Sequence, residues 1–324
     1  MMQLVIYGIV AGGILAVAAI GLTLTYQITG FSNFSYGDMM TWGAYLAFFF
    51  ITAARLPLPV AVAASALVGA GIGLLSERVL YRRLQRHGTI MMLIGSVGMA
   101  LILRNGILFL FGPQTEYLRQ GLQRPFRFQL LGQMLRIKPD QLWILAAVAV
   151  LGMLVHLFLT RSTPGRALRA MADNRDLALV CGIDAGTVVR WTWGLGGALA
   201  AVAGSLLALD TQIWPTMGWD QLLAIFAVTV LGGIGRVYGA IAAAFLVGIA
   251  QEVSTAYISG AYKPAVAFVL IVLALLIRPE GIANTGELRG LSAWWARRRH
   301  HPRPLQPTPG GQGQPDPVVD PGER

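Results

Sequence analysis

Eight stretches of the chain, near residues 2 to 28, 36 to 53, 57 to 75, 90 to 111, 141 to 160, 188 to 209, 237 to 255 and 263 to 278, are apolar and almost free of charge. Crossing a hydrocarbon core of roughly 30 Å takes about 20 such residues of helix, so this repetition constrains the fold more than any motif does. A shorter run, 221 to 231, is a ninth candidate. Backbone groups left unpaired in lipid are so costly that only helices and closed barrels span it, and no ten-residue alternating pattern of barrel strands appears. The fold class is therefore all-α, a polytopic membrane helix bundle with eight or nine transmembrane helices. Only 12% of the residues are charged, where a soluble domain has about a quarter.

The net charge of +10 does not point to nucleic acid, because the arginines lie between apolar runs. Arg78, Arg82, Arg83 and Arg86 follow the third run; Arg161, Arg166, Arg169, Arg175 and Arg190 surround the connection after the fifth. By the positive-inside rule both connections face the cytoplasm. Counting back puts the N-terminus outside, and the 112 to 140 connection is external despite Arg119, Arg124, Arg127, Arg136 and Lys138. Without a basic leader or cleavage site, the first run reads as a retained helix. The basic "WWARRRHH" at 294 to 301 is cytoplasmic if 221 to 231 crosses. Residues 1–290 read as the membrane domain; 291–324, dense in Pro, Gly and Gln, read as a disordered tail. A lone Cys181 excludes an internal disulfide, and four histidines with one cysteine do not make a zinc site.

One cytoplasmic stretch stands apart. "GRALRAMADNRDLALVCGID", residues 165 to 184, carries six charges in twenty residues. At 100° per residue Leu168, Met171, Ala172, Ala178 and Leu179 share one side, with Arg166, Arg169, Asp173 and Asp176 opposite. Pro164 and Gly165 suit the start of a helix and Gly182 its end. A helix lying on the lipid surface is one reading of this pattern. Charges of both signs favour the groove of a partner protein, since surface-seeking helices are biased to Lys and Arg.

Glycine-interrupted segments in two halves of a transporter are pointers to a solute path, because unwound backbone exposes its N–H and C=O groups there. "GFSNFSYG" (30 to 37) and "GGIGRVYG" (232 to 239) are two such breaks, which nominates Gly30, Gly37, Gly232, Gly233, Gly235, Tyr238 and Gly239. Asn33, Ser35 and Asp38 add groups able to meet an ammonium or carboxylate, although Asn33 or Ser35 also suits a helix cap. Arg104 and Asn105 lie about two turns from the outer end of the fourth run. An intramembrane arginine is a functional candidate by default, and snorkelling is the alternative. Gly69 to Gly73 and "GLGGALAAVAG" at 194 to 204 invite close helix packing.

The 165 to 184 stretch, followed at once by "AGTVVRWTWGLGGALAAVAGSLLAL", resembles the coupling loop and next helix of the permease subunits of branched-chain amino acid ABC importers. "AIGLTLTYQITGFSNFSYGDMMTWGAYLA", "LIGSVGMALILRNGILFLFG", "VLGGIGRVYGAIAAAFLVGIAQEVSTAYIS" and "YKPAVAFVLIVLALLIRPEGI" resemble other family segments, in order, over most of residues 15 to 282. The N-terminal block is similar to the H-type subunit (LivH-like), with Tyr36 where the family pattern has His. The resemblance implies an ABC importer permease fold, with a coupling helix at about 164–184 that docks into an ATPase. It implies as partners a second, M-type permease, two ABC ATPase subunits and an extracytoplasmic substrate-binding protein, in a bacterial inner membrane. Branched-chain or other small amino acids are the implied cargo; urea or short amides are the alternative, and a stand-alone secondary transporter a remoter one. The chain has no G-x-x-x-x-G-K-[ST] phosphate loop, so no cofactor is expected on it and ATP belongs to the partners. Paired catalytic groups that would mark an enzyme are not found in the apolar runs.

Overall fold

The computed structural model describes residues 1–118, 126–130, 133–233 and 235–277. Its helices are α1 (Met2–Thr29), α2 (Ser35–Thr52), α3 (Leu58–Ser76), α4 (Thr89–Phe111), α5 (Pro139–Arg161), α6 (Thr163–Asp173), α7 (Arg175–Val180), α8 (Ala185–Asp210), α9 (Met217–Gly232), α10 (Val237–Ser254) and α11 (Lys263–Ile277). The eight long apolar runs and the short one each became a helix, and the bundle is all-α apart from one hairpin. The tail expected from 291, with its basic cluster, lies outside the described residues.

Among the described residues six helices have both the length and the hydropathy to cross a bilayer: α1, α3 with its extension to His87, α4, α5, α8 and α10. The 16 residues of α9 reach only about 24 Å at 1.5 Å per residue, short of a full hydrocarbon core. α2 has 18 residues, but Ser35, Tyr36, Asp38 and Thr41 make its first two turns polar. It is housed against α3, α4, α8 and α9. In the middle stand α1 and α8, with 67% and 78% of their central stretches buried; α4 and α5, at 22% and 17%, form a rim turned outward. That split explains why the rim helices expose Ile94, Leu101, Phe109 and Val150, as lipid-facing surfaces do.

Small residues set the helix spacing. A side chain on Gly69 would meet the backbone oxygen of Gly197 at 2.7 Å, and one on Gly73 that of Trp193 at 2.3 Å, so the Gly69–Gly73 pair packs α3 on α8 within this one chain. The tightest seam of α1 escaped the sequence reading. Gly8 and Gly12 lie on Ile249 and Phe245 of α10, with Gly248 against Gly12. This antiparallel contact is built as glycine interfaces in membranes are.

The 112 to 140 connection contains an unforeseen antiparallel hairpin, β1 (Phe126–Leu130) with β2 (Gln133–Ile137), pairing Phe126 with Ile137 and Leu130 with Gln133. Gln3 grips the Arg136 backbone in both directions, at 2.7 and 2.9 Å. A two-way bridge between Glu116 and Ile213 ties this connection to the one between α8 and α9. The start of α1, the hairpin and the α8–α9 connection thus share one end of the bundle, as arginine counting requires. At that end the α10–α11 connection is closed by the Lys263–Glu252 ion pair and by Gln251 donating to the Lys263 carbonyl at 3.1 Å.

Candidate functional site

Polar groups in the bundle gather where α2 begins. α1 stops at Gly30, whose φ of 71° and N–H bond to the Tyr26 carbonyl make a left-handed cap. No neighbour lies within 4 Å of the position a Gly30 side chain would take, so this local role accounts for the glycine. The chain then climbs back beside α4, with Phe34 N–H donating to Ser96 Oγ at 3.2 Å. Ser96 is seven residues into α4, about 10 Å along it, and α2 therefore starts well inside the bundle.

Asn33 Oδ1 accepts from Ser35 N–H at 3.0 Å, from Ser35 Oγ at 2.7 Å and from Tyr81 OH at 3.0 Å. This is an Asx turn leading into α2, whose N-cap is Phe34 and carries no side-chain cap. Tyr81 is stacked on Trp193 at 4.3 Å between ring centroids, and Phe31 lies on both rings. What brings Tyr81 inward is a π-turn, Glu77–Tyr81. Ala61, Ser65, Gly69, Gly73, Glu77 and Tyr81 are all buried at intervals of four, a spacing that drifts about 40° per step on a regular helix. The wider π-turn takes up part of that drift. No period count foretold it.

One turn further along α2, Asp38 and Arg104 meet as a bidentate pair, Nε to Oδ1 at 3.1 Å and Nη2 to Oδ2 at 3.2 Å. Asp38 is wholly buried, and the Arg104 side chain is 19% exposed. The sequence had nominated both without joining them. A charge alone at this depth would be costly, whereas a fork-to-fork pair satisfies both groups. Asp38 also lies in the first turn of α2, where the helix dipole favours an anion. The Arg104 guanidinium lies 4.7 Å from the ring centroid of Trp219, in the first turn of α9. Snorkelling is thereby corrected: Arg104 turns inward to Asp38, not along the helix to water. Asn105, its neighbour, faces out of the bundle and donates to the Leu101 carbonyl at 2.7 Å.

The start of α9 reaches the start of α2 directly. A side chain on Gly218 would come within 1.9 Å of the Gly37 carbonyl, and one on Gly37 within 2.6 Å of the Gly218 carbonyl. Gly218 N–H donates to Thr41 Oγ1 at 3.1 Å, and Trp42 Nε1 donates to the Leu103 carbonyl at 2.9 Å. The partner of the first glycine break is thus the first turn of α9 at Gly218, which sequence reasoning missed. Its only visible signal was the dipeptide Met217-Gly218 before an apolar run too short to cross.

The second break, 232 to 239, lies elsewhere. Gly232 packs on Gly239 and Ala240, and the space around Gly235 is taken by Gln27, near the end of α1. Gly233 and Gly235 have φ of 91° and 84°. Tyr238 OH is 2.7 Å from His156 Nδ1 on α5. Gly235, Tyr238 and Gly239 line a cavity of about 340 Å³ together with Leu168, Arg169 and Asp173 of α6. The two breaks do not form one site; the second adjoins the charged cytoplasmic stretch.

That stretch is two helices, not the single helix expected over 164–184. Ser162 caps α6 by accepting from Gly165 N–H at 3.0 Å. Gly165 is needed for approach, since a side chain there would sit 2.1 Å from the Phe158 carbonyl. Asn174 ends α6 and caps α7, accepting from Leu177 N–H at 3.0 Å. Gly182, with φ of 82°, ends α7 in a Schellman arrangement, Ile183 N–H to Ala178 O and Gly182 N–H to Leu179 O. The orientation also differs from the one expected. Leu168, Met171 and Ala178 are buried in the chain's own bundle, and Ala172 is half-buried, so they leave no apolar face for a groove. Exposed instead are Leu177, Leu179 and Val180, the last at 86%, beside Arg166, Arg169, Asp173, Arg175 and Asp176. Counting 100° per residue across 165 to 184 assumes one continuous helix, and the extended backbone at Asn174 interrupts that periodicity.

With this geometry in place, the profile of the family described as "Branched-chain amino acid transport system / permease component" matches residues 4–275. The chain belongs to that permease family. Relatives include the high-affinity branched-chain amino acid transport system permease protein BraD of Pseudomonas aeruginosa, 31% identical over 89% of this chain and 97% of its own. LivH of Escherichia coli is 30% identical over 89% and 96%. A probable LivH of Methanocaldococcus jannaschii is 31% identical over 85% and 90%. The permease is a multi-pass membrane protein, and the LivH-like resemblance read from the segments above is shown across nearly the whole chain.

Proposed function

We propose that this permease is the translocation subunit of an ATP-driven importer for branched-chain or other small amino acids in a bacterial inner membrane. The observation that carries the reading is the near full-length likeness to BraD and LivH. The proposed assembly has a second, M-type permease, two ATPases that bind the nucleotide, and an extracytoplasmic binding protein that delivers cargo.

Two features of the chain support that division of labour. The exposed side of α6 and α7 offers both charge signs around Leu177, Leu179 and Val180, which suits an ATPase groove better than lipid. Around α2 the polar groups are closed in: Asn33, Ser35 and Asp38 are at most 1% exposed. A solute path therefore runs along the open side of the junction, past the free edge of Arg104 and the 37% exposed Trp219. A second permease facing this side would complete it. Arg104 is the group placed to meet a passing carboxylate.

The test is purification of the tagged chain in detergent with whatever subunits accompany it, followed by ATPase assay with binding protein added. Recovery of two ATPases and a second permease, with hydrolysis stimulated by leucine-loaded binding protein, is the expected result. Stimulation by a urea-loaded or amide-loaded binding protein alone would move the cargo assignment. A lone, ATP-inert chain that transports in liposomes would overturn the reading.

A further inference from the structure

The far side of α3 from Tyr81 carries a surface that transport does not explain. Leu67, Val68, Gly71, Leu74, Leu75, Arg78, Val79, Arg82, Arg83 and Arg86 are all exposed, at the three- and four-residue spacing of one helix face. The face is apolar as far as Leu75 and basic from Arg78 onward, a change completed within one turn. At that boundary Arg78, Arg82, Arg83, Arg86 and His87 surround an open cavity of about 880 Å³, with Leu75 and Val79 as its apolar wall.

No carboxylate lines this cavity. Glu77, on the same turn, is buried and lines a neighbouring cavity of about 290 Å³ with Asp184 and Arg190; Arg82 borders both cavities, while Arg78, Arg83 and Arg86 line only the basic one. Among the described residues these four arginines make no ion pair. Sidedness alone asks for positive charge near the ends of membrane helices, but it does not ask for four cations around one hollow. Within the π-turn and its continuation Tyr81 is held in the core while Arg78 and Arg82 are exposed.

We infer that this cavity binds the phosphate headgroup of an anionic phospholipid, with Leu75, Val79 and the α3 face above them against the acyl chains. The arginines supply forked donors that match phosphate oxygens. Basic pockets at the cytoplasmic ends of membrane helices recognise such headgroups. The apolar wall argues for a lipid over a soluble protein partner: Leu75 stands 62% and Val79 51% exposed on the continuation of a lipid-facing surface.

The experiment measures lipid retained by the full complex. Wild-type protein and R78Q/R83Q/R86Q, purified in one neutral detergent, are exposed to mixed phosphatidylglycerol and phosphatidylcholine, and bound lipid is counted by native mass spectrometry. Wild type should prefer phosphatidylglycerol. Each interfacial arginine is worth about fivefold, so the triple variant should lose roughly a hundredfold of that preference. Glycerol phosphate, the same anion without chains, should compete poorly; competition equal to the lipid's would reassign the cavity to soluble phosphate and overturn the inference. So would equal retention by wild type and variant, or loss of the preference whenever the ATPases are bound. Removing arginines weakens the sidedness signal, so orientation is checked in membranes of cells lacking the ATPases, where the exposed lone Cys181 is free to react with an impermeant thiol reagent from the cytoplasmic side. Should the triple variant invert, L75S/V79S leaves every arginine in place and should still lower phosphatidylglycerol retention several-fold; unchanged retention there overturns the lipid assignment.

Discussion

The α2–α4–α9 junction and the α6–α7 segment both set charged residues against the bundle, and they treat them in opposite ways. At the junction each charge is spent inside the chain: Asp38 on Arg104, and Arg104 on Trp219. Along α6 and α7 the apolar residues are spent inside, Leu168 and Met171 among them, and the charges are left outside. The first region is a knot closed around Asp38, which fixes where two helices begin and leaves one edge of Arg104 open. The second is an anchored surface whose outer half is available to another protein. Charge in a membrane chain thus marks function only after its partner is known.

The sharpest way to break this contrast is to remove Asp38. Asp38→Ala leaves Arg104 partly buried without its carboxylate, and breaking one side of a buried pair costs about 3 to 5 kcal/mol. Thermal unfolding of the purified chain in detergent should show a large drop. The double variant Asp38→Asn/Arg104→Gln should recover part of it, because no uncompensated charge remains. Stability of D38A equal to wild type would mean that the pair does not hold the junction.

Next in size is the glycine contact. Gly218→Ala puts a methyl carbon where the Gly37 carbonyl already lies, 1.9 Å away, so α2 and α9 must separate. Uptake should fall by an order of magnitude or more, while Gly30→Ala, which meets no neighbour and only strains a left-handed cap, should cost about 1 to 2 kcal/mol and leave uptake close to normal. Equal loss in both would erase the distinction between a contact glycine and a capping one.

These two glycines show what the sequence made legible. Gly30 and Gly37 look alike as letters in "GFSNFSYG", and both stand at a break in an apolar pattern. Their difference depends on Gly218, 181 positions from Gly37, and no local period carries that information. The helices themselves were readable because lipid enforces long apolar runs. Asp38 and Arg104 were each conspicuous as charges in such runs, yet their pairing needed the fold. The π-turn at Glu77–Tyr81 and the hairpin at Phe126–Ile137 left no signal, since one is a one-residue adjustment and the other a short pairing in a connection.

A moderate effect separates the two sides of the cytoplasmic segment. Leu168→Asp buries a charge with no partner and should lower stability by several kcal/mol, reducing assembly together with everything downstream. Val180→Asp changes a residue that is 86% exposed. It should leave thermal stability within about 0.5 kcal/mol and still abolish cargo-stimulated ATP hydrolysis in the assembled complex. If V180D couples normally, the docking surface is not on α7.

The smallest effect tests the joint between the segment and the core. Asp184 caps α8, accepting from Gly186 and Thr187 N–H at 3.0 Å each and from the Thr187 hydroxyl. The Thr187 hydroxyl above all, then the two backbone donors, hold its carboxyl below the ordinary value near 3.8. A carboxyl depressed by folding stabilises the protein above its unfolded value, and the contribution is lost as pH falls through the folded one. Asp184→Ala should therefore lower the unfolding temperature slightly and by a constant amount across neutral pH, and the gap to wild type should close below pH 4 as the carboxyl protonates. A gap that persists in strong acid would show that the cap works through neutral hydrogen bonding. In that case the carboxylate charge, and its ion pair with Arg190 3.9 Å away, would contribute nothing to holding the head of α8.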